Sequence, residues 1–481
     1  MNKSILPQSS IILVILSLAS GIRLLAEILL ARNLPLESFG LYGLIITVVG
    51  IIQVYLANGI RVTLLRHLPI IFNESKASQF FQLIRKAFLF FVLLLITLGL
   101  LIYFSYGNID SKTYIKIKPY LLIIFIISCL TSVLYALSDV FRSVGRIEKS
   151  TFFREFTSYL IFLIFLIVLL FFNLLSLNWI LIIFSFSLFI SIIWGISTFR
   201  KLNLSQLQHN NTDIGRIFTS RKLIFFWFSA ELLGLFWAIR ERVSIFYVSE
   251  YLTPENMAII YVMLRACFPL YLIKNSFNSI ISPVIATLFY EKKEKELNKK
   301  YQELTQLQFI YIFPVLSVLC LFGTDIIQFF LGDEYLIDSE VLAILLWLVS
   351  SSIIIGPSSV AFQMVGKPKI ESFFIALSLI IIIPFNIIAI QKYGLLGIVV
   401  GVYGIILFID ILKLFYLRLK FSINSFSRVV LVKIFVLMLT LIIITLFQPF
   451  NQFINLLAVI CFFMVLFMQN FSSYINEKTS N

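Results

Sequence analysis

The chain has 481 residues, of which 60% are hydrophobic and only 13% charged, with a formal net charge of +14. A soluble globular domain is excluded, because that much apolar surface needs lipid as its solvent. The positive balance does not point to nucleic acid either, since the charges are scattered through short loops rather than gathered into one basic patch.

Fourteen long apolar segments run through the sequence, near 9–31, 40–60, 87–104, 119–136, 157–172, 178–198, 223–248, 256–289, 307–330, 341–362, 372–390, 395–413, 430–447 and 453–470. Most approach the ~20 residues that cross ~30 Å of hydrocarbon, and the shorter ones fit by tilting or by thinning the bilayer. Of the 38 Lys and Arg, 27 lie in the termini and in the loops after the even-numbered segments. The opposite loops hold five: Arg32, Lys112, Lys116, Lys118 and Lys392. Under the positive-inside rule this alternation predicts a polytopic all-α protein of the inner-membrane type with both termini cytoplasmic. The first segment carries Arg23 and Glu27 and lacks a small-residue cleavage site, so it reads as a retained helix and not as a signal peptide.

The sequence repeats itself. Phe141-Arg-Ser-Val-Gly145-Arg146, continuing to Thr151-Phe152-Phe153, recurs as Phe362-Gln-Met-Val-Gly366-Lys367, continuing to Ser372-Phe373-Phe374, at an offset of 221. Leu34-x-x-Glu37-x-Phe39-Gly40 echoes Leu252-x-x-Glu255-x-Met257-Ala258 at an offset of 218. An offset of six segments returns the chain to the same side, which predicts two parallel-repeat six-helix lobes plus two C-terminal helices. The expected division is an N-terminal lobe over 1–201, a cytoplasmic linker over 202–222, a C-terminal lobe over 223–420, and the last two helices with a cytoplasmic tail over 421–481.

Six basic residues lie inside apolar segments: Arg23, Arg240, Arg242, Arg265, Lys274 and Lys433. A charge near mid-membrane costs at least ~2.5–3.5 kcal/mol on insertion scales, so each one needs a partner or a purpose. Arg23 lies about eight residues, or ~12 Å, from the outer end of the first segment, and Arg240 and Arg242 reach a similar depth in the seventh. Arg265 comes to a comparable level in the eighth segment, and Lys274 lies beyond a kink expected at Pro269. The plain reading is internal pairing: Arg23 with Glu27 four residues on, and Arg242 with Glu231 on the same helix face, ~16 Å apart. Basic charge still exceeds acidic charge across the set. Arg23, Arg240, Arg242, Arg265 and Lys274 are therefore candidates for lining a cavity that takes an anion, and Arg suits phosphate because its rigid fork binds bidentately. Glu27 and Glu231 are candidates for ion coupling. Asp410 and Lys413, three residues apart near a helix end, are expected to pair and snorkel.

Other features carry little chemistry. Cys129, Cys267, Cys320 and Cys461 are isolated in apolar segments and read as small core residues, and His67 and His209 lie far apart. No spacing suits a metal, and no nucleotide-binding or other cofactor motif occurs. The outer loops are too short to hold the catalytic acids of a membrane glycosyltransferase or polymerase, so an enzyme is not expected.

The run Leu30-Ala-Arg-Asn-Leu-Pro-Leu-Glu-Ser-Phe-Gly-Leu-Tyr42 resembles the first outer loop of polysaccharide-biosynthesis flippases. Phe330-Leu-Gly-Asp-Glu-Tyr335, and Gly356-Pro357 followed by Val365-Gly-Lys-Pro368, are similar to the same family. These are the O-antigen-type flippases of the multidrug/oligosaccharidyl-lipid/polysaccharide exporter superfamily. The resemblance implies translocation of an undecaprenyl-diphosphate-linked oligosaccharide, an O-antigen or capsule repeat unit, from the cytoplasmic to the periplasmic leaflet. It also implies alternating access of a cationic central cavity between the lobes. Implied partners are that lipid-linked substrate, the bilayer, and a polysaccharide polymerase with its chain-length regulator. A lipid-linked peptidoglycan precursor flippase or a cation-coupled small-molecule exporter of the same superfamily remains open.

The charge pattern makes a testable statement about topology. Reporter fusions after Asn203 and Asn481 are expected to report cytoplasm, and fusions near Asn108 and Asp338 periplasm. Alkaline-phosphatase activity from the C-terminal fusion overturns the fourteen-span reading.

Overall fold

The computed structural model of the chain describes residues 5–73, 77–105, 110–201, 221–447 and 451–464. Most of the expected linker at 202–222, His209 and the chain beyond 464 lie outside the described residues. Among the described residues the secondary structure is helical throughout, and every one of the fourteen predicted segments is occupied by helix.

The first packing unit is Met1–Ala258. It holds α1 (Ile5–Asn33), α2 (Leu36–Asn73), α3 (Ala77–Ser105), the short α4 (Lys112–Ile117), α5 (Leu121–Ser143), α6 (Ile147–Thr151), α7 (Ser158–Phe171), α8 (Leu177–Arg200) and α9 (Arg221–Tyr251). A π-helical turn, Phe152–Thr157, joins α6 to α7. The second unit is Ile259–Asn481. The boundary falls within α10 (Pro254–Ala266), and beyond it come α11 (Phe268–Tyr290), α12 (Glu294–Leu331), α13 (Ser339–Ile354), α14 (Ser358–Met364), α15 (Pro368–Val399), α16 (Ile405–Phe421), α17 (Arg428–Phe447) and α18 (Gln452–Met464). α15 reaches into the twelfth predicted segment, with the chain turning inside it at Gly394, whose φ is 55°, and a second π-helical turn, Val400–Gly404, leads on to α16.

Packing divides the chain one helix later than the repeat does. By the offset, α9 is the counterpart of α1 and opens the second repeat. By contact it lies along α2 in the first unit. Glycines allow the approach: a Cβ on Gly59 of α2 would stand 2.6 Å from the Trp227 carbonyl oxygen of α9. Close backbone contact of this kind is how membrane helices associate where lipid supplies no hydrophobic drive.

The interior follows helical periodicity. Leu56, Ile60, Leu64 and Leu68 of α2 meet Phe80, Leu83, Ala87, Phe90, Leu94 and Leu98 of α3, a seam of three- and four-residue steps. The opposite face of α3 is just as apolar, with Phe88 62% and Ile96 56% exposed. A helix apolar all round, with one face exposed, belongs in lipid. The protein is a multi-pass membrane protein.

The repeated motif builds the same joint twice. After α5, Gly145 adopts φ 80° and Arg146 N–H donates to the Phe141 carbonyl at 3.0 Å. After α14, Gly366 adopts φ 77° and Lys367 N–H donates to the Phe362 carbonyl at 2.8 Å. Both are glycine-terminated helix ends in the Schellman pattern, where a residue with a Cβ is disfavoured at the left-handed position. The rings pair alike: Phe141 with Phe153 at 5.5 Å, Phe362 with Phe374 at 5.9 Å.

At the opposite end of the bundle, α4 is capped from a distant part of the chain. Glu250 of α9 accepts from Ser111 Oγ at 2.6 Å and from the N–H groups of Lys112 and Thr113 at 3.2 and 2.9 Å. Lys116 Nζ donates to the Ser249 carbonyl at 2.6 Å and completes the clasp. Partial burial alone would raise the Glu250 carboxyl, but these hydrogen bonds outweigh it and bring it from 4.5 down to about 2. A depressed pKa in the fold stabilises above the unfolded value, and that contribution is lost as pH falls toward about 2. Glu250→Gln is thus expected to lower Tm at pH 7, with the gap to wild type narrowing as pH falls from 4.5 toward about 2 in detergent melting curves. A gap independent of pH refutes the carboxylate clasp.

Candidate functional site

In the first unit, Arg23 Nε lies 3.4 Å from Glu27 Oε1, the local pair that four-residue spacing predicts. The guanidinium also stands over Tyr159 of α7, its Cζ 5.2 Å from the ring centroid. On α9, Arg240 is 4% exposed and its Nη2 lies 3.3 Å from Glu241 Oε1. Arg242 packs on Gly50 of α2, where a Cβ would come within 3.1 Å of its Nε. Glu231 does not pair with Arg242 as the shared helix face suggests. It turns to α2 instead, and its Oε2 accepts from the Gly59 N–H at 2.6 Å. Its Oε1 is buried and accepts no hydrogen bond among the described residues.

In the second unit, the predicted kink is a break: α10 ends at Ala266 and α11 begins at Phe268, with Pro269 in its first turn. Arg265 occupies the last turn before the break, and its Nη2 donates to Tyr261 Oη at 2.5 Å. Beyond the break, Lys274 Nζ sits 5.7 Å from the Tyr271 ring centroid. Each of these two cations is thus stacked on a tyrosine of its own half-helix. Among the described residues no cluster of His, Cys, Asp and Glu could hold a metal ion.

Two clusters escape a sequence reading. The first gathers Arg61 of α2, Asp139 and Tyr135 of α5, and Arg154 and Glu155 of the π-helical turn. Arg61 Nε is 2.6 Å from Asp139 Oδ2, and Arg154 Nε is 2.7 Å from Glu155 Oε1. Both guanidinium carbons stand over the Tyr135 ring, at 5.2 and 5.7 Å from its centroid. Arg61 and Arg154 look like loop charges in the sequence because they flank the apolar runs. Helix α2 runs on to Asn73, which makes Arg61 a residue of the bundle. The isolated Asp139 near the end of an apolar helix was the available signal.

The second cluster keeps the expected pairing of Asp410 with Lys413 and corrects the snorkelling. The Lys413 side chain is fully buried, and its Nζ lies 2.9 Å from Glu371 Oε1, 3.3 Å from Asp410 Oδ1 and 3.2 Å from Ser359 Oγ. Ser352 Oγ holds the other oxygen of Asp410 at 2.5 Å. In the first repeat, the positions 221 residues earlier are Ser138 and Ser150 for Ser359 and Glu371, and their hydroxyls bond directly at 2.8 Å. The second repeat opens that contact and inserts a lysine from α16.

Comparison with known proteins agrees with this architecture. The MatE family model matches residues 233–388. A structure described as lipid II flippase MurJ, inward closed conformation, has a TM-score of 0.73 at 16% identity, covering 96% of this chain and 99% of its own. An inward-facing multidrug resistance MATE family transporter of the MOP superfamily has a TM-score of 0.68 at 12% identity, covering 85% and 98%. A MOP superfamily transporter from Pyrococcus furiosus, described for the reverse polarity of its binding pocket, has a TM-score of 0.58 at 14% identity, covering 86% and 94%. No curated protein matches the chain. At these identities the likeness is one of fold, and the fold is that of MATE transporters and MurJ.

The buried triad yields a sharp stability test. Removing one partner of a buried ion pair costs about 3–5 kcal/mol, whereas replacing the whole set with apolar groups of similar volume is near neutral. Lys413→Met leaves Glu371 and Asp410 buried without their cation and is expected to lower Tm strongly, and the triple change Glu371→Leu, Asp410→Leu, Lys413→Met to recover most of the loss. A triple variant no better than Lys413→Met shows that the contacts hold the fold by shape and not by charge balance.

Proposed function

We propose that the chain is a flippase that carries an undecaprenyl-diphosphate-linked oligosaccharide, an O-antigen or capsule repeat unit, from the cytoplasmic to the periplasmic leaflet of a bacterial inner membrane. Both termini are cytoplasmic in this reading. The observation that carries it is the retention of Arg23, Arg240, Arg242 and Arg265 within apolar helices. Membrane segments keep such charges at a cost, and an anion that must cross hydrocarbon supplies the reason. The shared fold supports transport over sugar chemistry, and lipid II flippase is among the proteins that share it.

The mechanism follows from the substrate. The diphosphate and sugars cannot enter lipid alone, while the polyprenyl tail never leaves it. Arg23, Arg240, Arg242, Arg265 and Lys274 neutralise the diphosphate, and alternating access exposes them first to one side of the membrane and then to the other. The sequence carries no nucleotide-binding motif, so in this reading an ion gradient, the membrane potential or product removal drives the cycle. Glu231 is the favoured coupling residue, because its Oε1 is buried without a hydrogen-bond partner among the described residues. Glu27 is the second candidate, and it holds Arg23. A polysaccharide polymerase and its chain-length regulator take the product onward. A peptidoglycan precursor carries the same diphosphate, so the glycan separates the two substrates.

Deletion is expected to abolish the surface polysaccharide while complete lipid-linked repeat units accumulate facing the cytoplasm, as read by mass spectrometry and by resistance to a periplasmic glycosidase. Truncated glycans, or complete ones already accessible from outside, overturn the reading in favour of a glycosyltransferase or polymerase. Accumulated lipid-linked peptidoglycan precursor assigns the alternative substrate. Ala at Arg240, Arg242 and Arg265 is expected to reduce transport tenfold or more with normal membrane insertion, and Glu at the same positions to be worse.

A further inference from the structure

Arg61 and Arg154 share a geometry that simple ion pairing does not require. They come from different elements, α2 and the π-helical turn, yet both stand over the ring of Tyr135. Each meets its carboxylate through Nε, and their terminal Nη groups make no hydrogen bond among the described residues. The side chains are 23% and 22% exposed, so neither is sealed in the interior. Asp139, by contrast, is completely buried and acts from behind. Carboxylate at Nε and the Tyr135 ring at Cζ leave the terminal Nη groups of both guanidinium groups as the remaining donors around one ring. Guanidinium forks bind phosphate oxygens bidentately, and two forks over one ring suit two linked phosphates better than one.

Position adds to this. Asp139 lies one turn before the end of α5, and Arg154 follows the Gly145 joint, at the end of the bundle where the basic loops lie. One step further along the chain, Tyr159 carries Arg23 at 5.2 Å. Arginine–tyrosine contacts thus form a two-step ladder leading from the basic-loop end toward the deeper charges.

We propose that Arg61, Arg154 and Tyr135 form a receiving site for the diphosphate group of the lipid-linked substrate on the loading side of the first unit, distinct from the deeper set of Arg23, Arg240 and Arg242. The assignment rests on the flippase reading and adds to it a selection for diphosphate over monophosphate. Asp139 and Glu155 are positioning residues that hold the forks. Occupancy leaves the Nε bonds intact, so Asp139 is never buried without its cation.

The test uses the full chain in nanodiscs, titrated with undecaprenyl diphosphate and with undecaprenyl monophosphate, with Tm recorded for every variant. Wild type is expected to bind the diphosphate at least tenfold more tightly than the monophosphate. Arg61→Gln and Arg154→Gln are each expected to weaken diphosphate binding tenfold or more, and together to erase the preference. Should the Gln variants lower Tm, Arg61→Lys and Arg154→Lys decide, since they keep the charge and lose the fork; they are expected to bind both lipids alike. Wild-type preference retained in the Lys variants, or in folded Gln variants, overturns the receiving site and leaves the flippase reading standing. Failure of wild type to bind undecaprenyl diphosphate overturns both.

Discussion

Hydrocarbon offers no hydrogen bonds and solvates no charge, and every feature of this protein answers to that constraint. It forces the backbone into helices that satisfy themselves internally. It also requires each charged side chain within the bundle to be held by something. Arg23 is held by Glu27 and Tyr159, Arg61 by Asp139 and Tyr135, Arg265 by Tyr261, and Lys413 by two carboxylates and a serine. Aromatic rings recur because a tyrosine face can stabilise a cation without adding another buried charge. The holding is graded. Lys413 is sealed away, whereas the Arg61 and Arg154 side chains stay partly exposed.

The repeat shows how one local solution can be reused and altered. Glycine at the left-handed position and a phenylalanine pair across the joint are constant in both copies. What changes is the polar contact beside them: two serines in the first copy, a serine, glutamate and lysine in the second. A hydroxyl pair buries little polarity and needs no further partner. A buried lysine and glutamate must satisfy each other closely, which ties α14, α15 and α16 to one arrangement. The first unit instead places its ion pairs beside the joint, on Asp139 and on the π-helical turn that re-aims Arg154. π-Helical turns commonly mark functional sites, where an extra residue redirects a side chain.

The number of apolar segments, their helical character, the parallel repeat and the pairing of Arg23 with Glu27 were all legible in the amino-acid order. Each depends on residues near one another in sequence: the length of an apolar run, a motif recurring at a constant offset, two residues on one helix face. The glycine joints belong to the same class, since a left-handed residue between two helices is a local event. Which helix lies against which is another matter. α9 is placed by the repeat with the second half of the chain and by packing against α2, because glycines on α2 admit it. Glu231, expected to share a face with Arg242, answers to the Gly59 amide across that contact. Lys413 reads as a snorkelling residue until Glu371 of another helix is brought beside it. Arg61 and Arg154, 93 positions apart, have no sequence relation that would reveal a shared tyrosine. Apolar runs determine where the chain crosses the membrane, because transfer from water to lipid is decided residue by residue. The partners of its charges are decided only in the tertiary structure, because in hydrocarbon a charge must be met in space, whatever its distance along the chain.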